Sequence, residues 1–324
     1  QLQYQYTTQD RTYLNDSADK TYLIYENNQY AGTTHFADAF LSTPIHKNVQ
    51  WIVGTDFRYG SYNQSYEALG QGWAYAFSTN DTFQFQNALY TSVLINDNAK
   101  KWLLELGARY NNHNRFGNNQ TFTFNPSYAL TDQVRLIASV STGFKAPSFY
   151  DLYYPNYGVS TLKPEKSKNS EIGLHYETKA FDIRIIGYSN TISNLIQYSS
   201  SGCPTGYSSC ASNVANAKIT GLSIGGAIRS GYFSLRGSFD QQNPIDESTG
   251  FVLAKRARQF GNIGTEYKTS KSAFGAEGTL QANRNDFSNT GYMGGYAIYN
   301  LYGNYEFAKD WTLFGRWNNI FNKD

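Results

Sequence analysis

Apolar and polar residues alternate along much of this 324-residue chain. Trp102, Leu104 and Leu106 occupy every second position of one segment, and Glu105 and Arg109 fall at the positions of opposite parity. Other stretches with this alternation are 134–141, 171–177 and 299–307. A period of two places successive side chains on opposite faces of a β-strand. The pattern therefore predicts an all-β protein of amphipathic strands, about 15 in number.

Short turns and long loops are expected to alternate between these strands. Short turns are predicted at 44–48, 96–100, 131–133, 178–180, 229–231, 269–271 and 308–310. Longer loops are predicted at 63–83, 145–167, 199–214, 242–255 and 285–292. A barrel that spans a membrane has short turns on one side and longer loops on the other. The chain is therefore predicted to form a transmembrane antiparallel β-barrel.

The number and direction of the strands indicate an incomplete barrel. The first strand, at 1–9, and the last, at 311–321, would both run away from the side of the short turns. A single-chain bacterial barrel has an even number of strands and keeps both ends on the short-turn side. We therefore expect a further strand after Asp324 and treat residues 1–324 as one partial barrel domain.

The composition fits a barrel wall and excludes other classes. The chain has 28 Tyr, 21 Phe and 5 Trp, and tyrosine suits a wall whose apolar surface ends in water. The mean hydropathy of −0.55 excludes helical membrane spans but not a barrel, because only every second barrel residue meets lipid. A net charge of +2 is too small to indicate nucleic-acid binding.

Two cysteines, Cys203 and Cys210, are the full cysteine content of the sequence. Zinc sites usually have tighter spacings that come in pairs, and no second Cys or His pair is nearby. A disulfide in an exposed loop fits this spacing better. Such a bond indicates an oxidising compartment.

One loop, between 142 and 167, contains an unusual density of proline and tyrosine. Pro147, Pro155 and Pro164 are incompatible with a regular central strand. Its tyrosines are Tyr150, Tyr153, Tyr154 and Tyr157. Rigid aromatic side chains with hydroxyls suit contact with a bulky ligand. Packing of the loop against its neighbours explains the same residues equally well.

Several motifs resemble those of TonB-dependent outer-membrane receptors. Residues 144–147 read Phe-Lys-Ala-Pro, residues 162–167 read Leu-Lys-Pro-Glu-Lys-Ser, and Glu171 follows. Residues 255–258 and 317–324 resemble two later elements of that family, so that the likeness spans roughly 103–324. The loop after Phe144 and the run at 125–130 are most similar to the vitamin B12 (cobalamin) receptors, especially those of Bacteroidetes. Receptors for siderophores and haem share the same motifs.

The resemblance implies a plugged barrel of about 22 strands in the Gram-negative outer membrane. From the resemblance we expect the plug domain, the segment that contacts the TonB complex and about six first strands to lie outside residues 1–324. The implied function is capture and import of a large, scarce ligand, a corrinoid or alternatively an iron chelate. A passive porin-like channel is the alternative of another class. Surface lipoproteins cap some of these receptors, and the long loops here could receive one.

Ligand contacts are predicted for the loop and for one basic element. The candidates are Lys145, Tyr150, Tyr153, Tyr154, Tyr157, Arg256 and Arg258. For Arg256 and Arg258 the competing interpretation is ion pairing with carboxylates of the lumen or of a plug. We expect neither a cofactor nor a metal site.

Calcium binding and catalysis are both disfavoured. Asp10, Asp16 and Asp19 are acidic residues of the first loop, but they lack the regular oxygen-ligand spacing of a calcium loop. The histidines His35, His46, His113 and His175 are scattered, and no nucleophile motif accompanies them. The sequence therefore predicts a receptor rather than an enzyme.

Overall fold

A computed structural model describes residues 1–15, 23–286 and 291–323. Within these residues the chain folds into one large sheet, one short hairpin and one short helix. In chain order the elements are β1 (Leu2–Asn15), β2 (Leu23–His46), β3 (Val49–Gly70), β4 (Trp73–Asn96), β5 (Trp102–His113), β6 (Gly117–Ala129), β7 (Val134–Lys145), α1 (Phe149–Tyr153), β8 (Glu165–Glu177), β9 (Phe181–Ser199), β10 (Cys210–Ser230), β11 (Phe233–Asp246), β12 (Gln259–Lys268), β13 (Ser272–Gln281), β14 (Arg284–Asn285), β15 (Tyr292–Met293), β16 (Tyr296–Ala308) and β17 (Trp311–Trp317).

The large sheet has 15 strands, and each pairs with its neighbour along the chain in antiparallel fashion. The strand order runs from β1 to β13 and continues with β16 and β17, because β14 and β15 form a separate two-stranded hairpin. The predicted fold class and strand number are confirmed. A meander of this kind arises because short turns bring each strand beside the one that precedes it.

The predicted short turns are confirmed. They lie at 47–48, 97–101, 130–133, 178–180, 231–232, 269–271 and 309–310, all at the same end of the sheet. Gly231 and Asp310 have positive φ angles of 57° and 65° in two of these turns. Tight hairpin turns require such left-handed residues, which glycine and aspartate tolerate better than most.

The predicted loop at 63–83 is wrong. Here β3 continues to Gly70 and β4 starts at Trp73, so that a turn of two residues joins them. Gly72, with a φ of 81°, supplies the left-handed position of this turn. Cross-strand aromatic contacts, such as that of Tyr66 with Tyr75 at a centroid distance of 5.9 Å, stabilise the sheet here.

The boundaries of the end strands also differ from prediction, and so do the connections opposite the short turns. Strand β1 extends to Asn15 rather than to residue 9, and β17 stops at Trp317 rather than at 321. The connection at 114–116 is short, although it lies at the end where long loops were expected. The loops after β7, β9, β11 and β13 are confirmed as long, at 146–164, 200–209, 247–258 and 282–295.

Three strands are far longer than a bilayer requires. Strands β2 and β4 contain 24 residues each, and β3 contains 22. At about 3.3 Å per residue, 24 residues extend for about 80 Å, whereas the hydrocarbon core of a membrane is about 30 Å thick. The hairpins of these strands therefore project beyond the level of a membrane.

The two faces of the sheet differ in polarity as the alternation predicts. Leu106 and Ile224 lie on the outer face, and each is 42% exposed. The inner face contains ion pairs, such as Arg109 with Asp56 and Arg316 with Glu277. An apolar outer band and a polar interior are the arrangement of a barrel surrounded by lipid.

No helix in the part of the chain that the structure describes has the length and apolar character needed to cross a membrane.

The polarity of the two faces predicts that a charge destabilises the outer face much more than the inner face, which two adjacent residues of β10 can test. Ile224→Arg should lower the free energy of unfolding by about 2–4 kcal/mol, because the outer face meets hydrocarbon. Ser223→Arg, on the inner face, should have a much smaller effect. Denaturant unfolding of the protein from phospholipid vesicles measures both, and equal losses for the two variants would contradict this assignment of faces.

Candidate functional site

The connection between β7 and β8, residues 146–164, folds over the inner face at the end away from the short turns. It contains the one-turn helix α1, which the sequence did not predict. A capping box starts this helix: Ser148 Oγ accepts a hydrogen bond from the Asp151 amide at 3.2 Å, and Asp151 Oδ2 accepts one from the Ser148 amide at 2.9 Å. Such reciprocal bonds satisfy amides that a helix start leaves free.

A small apolar cluster anchors the connection to the sheet. Leu152 and Leu162 are buried against Ala211, the second residue of β10. The Ala211 amide donates to the carbonyl oxygen of Tyr157 at 2.9 Å, and the Lys163 amide donates to Asn213 Oδ1 at 2.8 Å. Burial and these hydrogen bonds together hold the connection in one position, and the tyrosines that it contains are therefore held in place as well.

Three of the predicted tyrosines form one cluster of tilted rings. The ring centroid of Tyr150 lies 4.4 Å from that of Tyr154 and 5.1 Å from that of Tyr157. Tyr157 also stacks on Tyr198 of β9 at 6.5 Å. Burial raises the pKa of Tyr157 from its ordinary value of 10 to about 12.

Tyr153 lies apart from this cluster. Its hydroxyl accepts a hydrogen bond from Arg115, and the guanidinium carbon of Arg115 lies 5.3 Å from the centre of the ring. Arg115 also donates to the carbonyl oxygen of Ser160 at 2.5 Å. Tyr153 and Arg115 therefore tie the connection to the β5–β6 turn.

An aromatic cavity of about 630 Å³ lies between α1 and the strands β1 to β3. Its aromatic lining consists of Tyr13, Tyr30, Tyr62, Phe149, Tyr150 and Tyr154. Phe149 stacks on Tyr62 with centroids 5.3 Å apart and ring planes within 6°. Tyr30 and Tyr62 were missed by sequence analysis. Their alternation places them on the inner face, but nothing local shows that a distant loop covers them.

A second, polar cavity of about 650 Å³ lies on the other side of Phe149, which lines both. Its polar and charged lining includes Asp56, Arg58, Gln84, Gln86, Arg109, Asn111, His113 and Lys145. Lys145 was a predicted ligand contact, and its Nζ lies 3.2 Å from Glu165 Oε1. The other residues are on β3, β4 and β5 and were missed, because no motif marks them.

The structure does not bring Arg256 and Arg258 to the tyrosines. Both lie exposed in the 247–258 loop, and neither lines the aromatic or the polar cavity. Among the described residues neither side chain forms an ion pair. The Arg258 carbonyl oxygen accepts a hydrogen bond from the Gln242 amide at 2.8 Å.

Cys203 and Cys210 form the predicted disulfide, with their Cα atoms 5.6 Å apart. Cys210 is buried and immediately precedes Ala211, which contacts the tyrosine-bearing connection. Of the acidic residues considered for calcium, Asp10 lies on β1, and Asp16 and Asp19 lie outside the described residues. The described residues contain no group of three or more His, Cys, Asp or Glu side chains placed to hold a metal ion.

Comparison with known families identifies the barrel. The family described as TonB dependent receptor-like, beta-barrel matches residues 1–320. The chain belongs to this family. The resemblance in the Phe144 loop and the later motifs is thereby confirmed at the level of the family.

Two curated relatives of this TonB-dependent receptor barrel are vitamin B12 transporters named BtuB. The transporter of Vibrio vulnificus is 32% identical over 258 residues, which cover 80% of this chain and 41% of the relative. The transporter of Photobacterium profundum is 28% identical over 226 residues, which cover 69% and 37%. The chain thus spans about two fifths of the length of these relatives.

Solved structures share the fold. The copper transporter OprC has a TM-score of 0.80 at 16% identity, and the match covers 100% of this chain and 56% of OprC. The ferric yersiniabactin uptake receptor FyuA from Yersinia pestis has a TM-score of 0.79 at 13% identity, with 99% and 53% covered. At these identities the likeness concerns the fold of the receptor barrel alone.

Gly158 is predicted to be essential for the position of the tyrosines. A Cβ at this residue would lie 2.5 Å from the Tyr153 amide nitrogen and 2.6 Å from that of Tyr154. Gly158→Ala should therefore displace the connection, at a cost of about 1–3 kcal/mol. Chymotrypsin cleavage within 149–157 should accelerate at least about tenfold. Gly294→Ala is the matched control, because nothing lies within 4 Å of a Cβ there; equal protection of both variants would contradict the prediction.

The disulfide is predicted to hold the β9–β10 loop against the same connection. Replacing Cys203 and Cys210 by serine should remove up to roughly 2–3 kcal/mol of local stabilisation for a loop of this length. Hydrogen exchange at the Ala211 amide should then accelerate, since its bond to Tyr157 loosens. Exchange measured by mass spectrometry tests this, and reduction of the unmodified protein should reproduce the effect. Unchanged exchange at Ala211 after reduction would refute it.

Proposed function

We propose that the protein is an outer-membrane receptor that captures a corrinoid, cobalamin, and delivers it for import. The similarity to two vitamin B12 transporters over 80% and 69% of the chain carries this proposal. Alignments of 258 and 226 residues in a chain of 324 must include the central β7–β8 connection and the strands beside it. The tyrosine-lined mouth of the barrel supports the same conclusion.

The aromatic cavity has the chemistry that a corrinoid requires. A corrin ring is broad and largely apolar on its faces, and amide side chains surround it. Tyr150 and Tyr154 offer ring faces for contact, and their hydroxyls can bond to amides. At about 630 Å³ the cavity is smaller than a whole corrinoid, so that the ligand would extend past Phe149 into the polar cavity.

The order of the loop favours tight capture. Leu152 and Leu162 are buried, and the capping box fixes the start of α1 before any ligand arrives. Binding then immobilises few side chains, which lowers its entropic cost. A scarce ligand is best bound by such a preformed surface.

Import requires energy from elsewhere in the cell. The outer membrane has neither ATP nor a useful ion gradient, and we propose that the TonB complex supplies the work through a plug domain of the complete receptor. In this scheme the chain described here forms the wall and the capture loops. Its outer face contacts lipid, and its projecting β2–β4 hairpins could receive a surface lipoprotein.

We propose no catalytic role. The curated relatives are transporters, and the histidines His35, His46, His113 and His175 lie on the separate strands β2, β5 and β8 or at their ends. His175 bonds to Asp182 at 3.0 Å on the inner face, which is the contact of a structural pair.

Equilibrium binding of cyanocobalamin to the full-length protein in detergent tests the proposal. We expect saturable binding below micromolar concentration. Tyr154→Ala should weaken it at least about tenfold, because a central aromatic contact is lost. Tyr232→Ala is the control, since Tyr232 is exposed in a short turn at the far end of the sheet.

Absence of saturable binding at micromolar cyanocobalamin would refute the corrinoid assignment. Saturable binding of a ferric siderophore in its place would assign the receptor to iron chelates. Ion conductance without saturable binding of either ligand would instead indicate a passive channel.

A further inference from the structure

The strongest acceptors of the polar cavity are already occupied. Both carboxylate oxygens of Asp56 accept from Arg109, at 2.5 Å from Nη1 and 2.9 Å from Nη2. Asn111 Oδ1 accepts two bonds, from Arg109 Nε at 2.7 Å and from Gln86 Nε2 at 3.1 Å. This bidentate pair and its amide neighbours form a rigid, electrically balanced floor.

Donors in the same cavity are unused. Gln84 Nε2 is buried and has no hydrogen-bond partner among the described residues. Arg58 has no carboxylate within ion-pair distance in the described part of the chain, and its guanidinium carbon lies 5.4 Å from the centre of the Phe36 ring. A buried donor without a partner is unfavourable, and an anion would satisfy it. The cavity therefore has an excess of donors and of positive charge.

Two further residues add to this character. The Arg115 amide donates to His113 Nδ1 at 3.1 Å, which leaves the proton of the neutral imidazole on Nε2. Lys145 is at the rim, and 64% of its side chain is exposed, so that it can turn from Glu165 toward an anion. Both are donors on a cavity whose one carboxylate, Asp56, is neutralised.

Register brings the two unused donors together. Arg58 pairs with Gln86 across β3 and β4, and Gly60 pairs with Gln84. Arg58 and Gln84 are therefore diagonal neighbours on the inner face. Gly60, which pairs with Gln84, lies beside Phe149: a Cβ at this glycine would be 3.6 Å from the Phe149 ring.

We propose that the polar cavity binds the phosphate ester of the ligand, with Arg58 as the principal donor, Gln84 as a supporting donor and Lys145 at the rim. The inference rests on the proposed corrinoid function and specifies which part of the ligand lies where. The guanidinium fork matches a phosphate better than a point charge does. A metal cation is disfavoured, because the oxygen ligands it would need are bonded to Arg109.

The size and position of the cavity agree with this assignment. Its volume of about 650 Å³ exceeds that of a phosphate and leaves room for an attached sugar or base. Phe149 forms the wall shared with the aromatic cavity. A ligand whose ring contacts Tyr150 and Tyr154 would thus place its nucleotide arm beyond Phe149.

A comparison of two corrinoids tests the proposal without mutating the protein. Dicyanocobinamide lacks the phosphate, and cobinamide phosphate has it. We expect the full-length protein in detergent to bind the phosphorylated form about tenfold more tightly, which corresponds to about 1.4 kcal/mol. This preference should decline with rising salt concentration, since Arg58 is exposed. Inorganic phosphate, as a competitor, should weaken only the phosphorylated ligand.

Variants of the proposed donors test whether these residues cause the preference for the phosphorylated ligand. Arg58→Gln should abolish the preference and its salt dependence, because it weakens the binding of cobinamide phosphate much more than the binding of dicyanocobinamide. Gln84→Met should reduce the preference in part. Arg229→Gln is the matched control, because Arg229 is an exposed arginine near the short turn after β10, remote from the cavity.

The outcomes separate the two proposals. Equal affinity for both cobinamides in the unmodified protein would overturn the phosphate site and leave the corrinoid function standing. An equal loss for both ligands in Arg58→Gln would overturn it as well and would assign Arg58 to barrel structure or to an acidic group of a plug. A protein that binds no corrinoid at all would overturn both proposals.

Discussion

The need of every backbone amide for a partner where water is absent governs this structure. In hydrocarbon an unpaired N–H or C=O is so unfavourable that a strand must pair with a neighbour along its whole length. The chain satisfies this by pairing each strand with the one before it, through turns of few residues at one end. Pairing fixes register, and register fixes which side chains share a face: Ser223 pairs with Asp240 on the inner face, and Ile224 pairs with Phe239 on the outer face.

The same register assembles the interior from residues far apart in sequence. Asp56 on β3 and Arg109 on β5 are 53 residues apart, yet they form a bidentate pair across β4. Asp56 pairs with Ala88 on β4, and Arg109 pairs with Tyr90 two positions along. Because Ala88 is small and buried, the arginine can pass over β4 beside the Tyr90 ring, 5.8 Å from its centre. A large residue at position 88 would close that path.

The strands and their faces could be predicted, because they depend on residues that are close in sequence. The positions of side chains that meet the long connection 146–164 could not. The alternation predicted the strands and faces, and the prolines predicted that 145–167 leaves the sheet. The loop predicted at 63–83 was wrong, because β3 and β4 continue through this segment and the rings of Tyr66 and Tyr75 meet across the two strands. Parity alone places Arg58, Gln84 and Tyr62 on the inner face. Their association with Phe149 depends on the folded position of the 19-residue connection 146–164. No local sequence pattern encodes that position.

The position of the connection 146–164 depends in turn on its contacts with the rest of the barrel. A helix of one turn has little stability of its own. Here α1 is held by its capping box, by burial of Leu152 against Ala211 and by the bond from Arg115 to Tyr153. Ala211 is kept in place by β10 and by the adjacent disulfide. Phe149, which separates the two cavities, is thereby fixed relative to Tyr62 on β3. The geometry of both cavities is therefore set by the wall of the barrel, so that a ligand meets a surface already ordered and the entropic cost of capture is low.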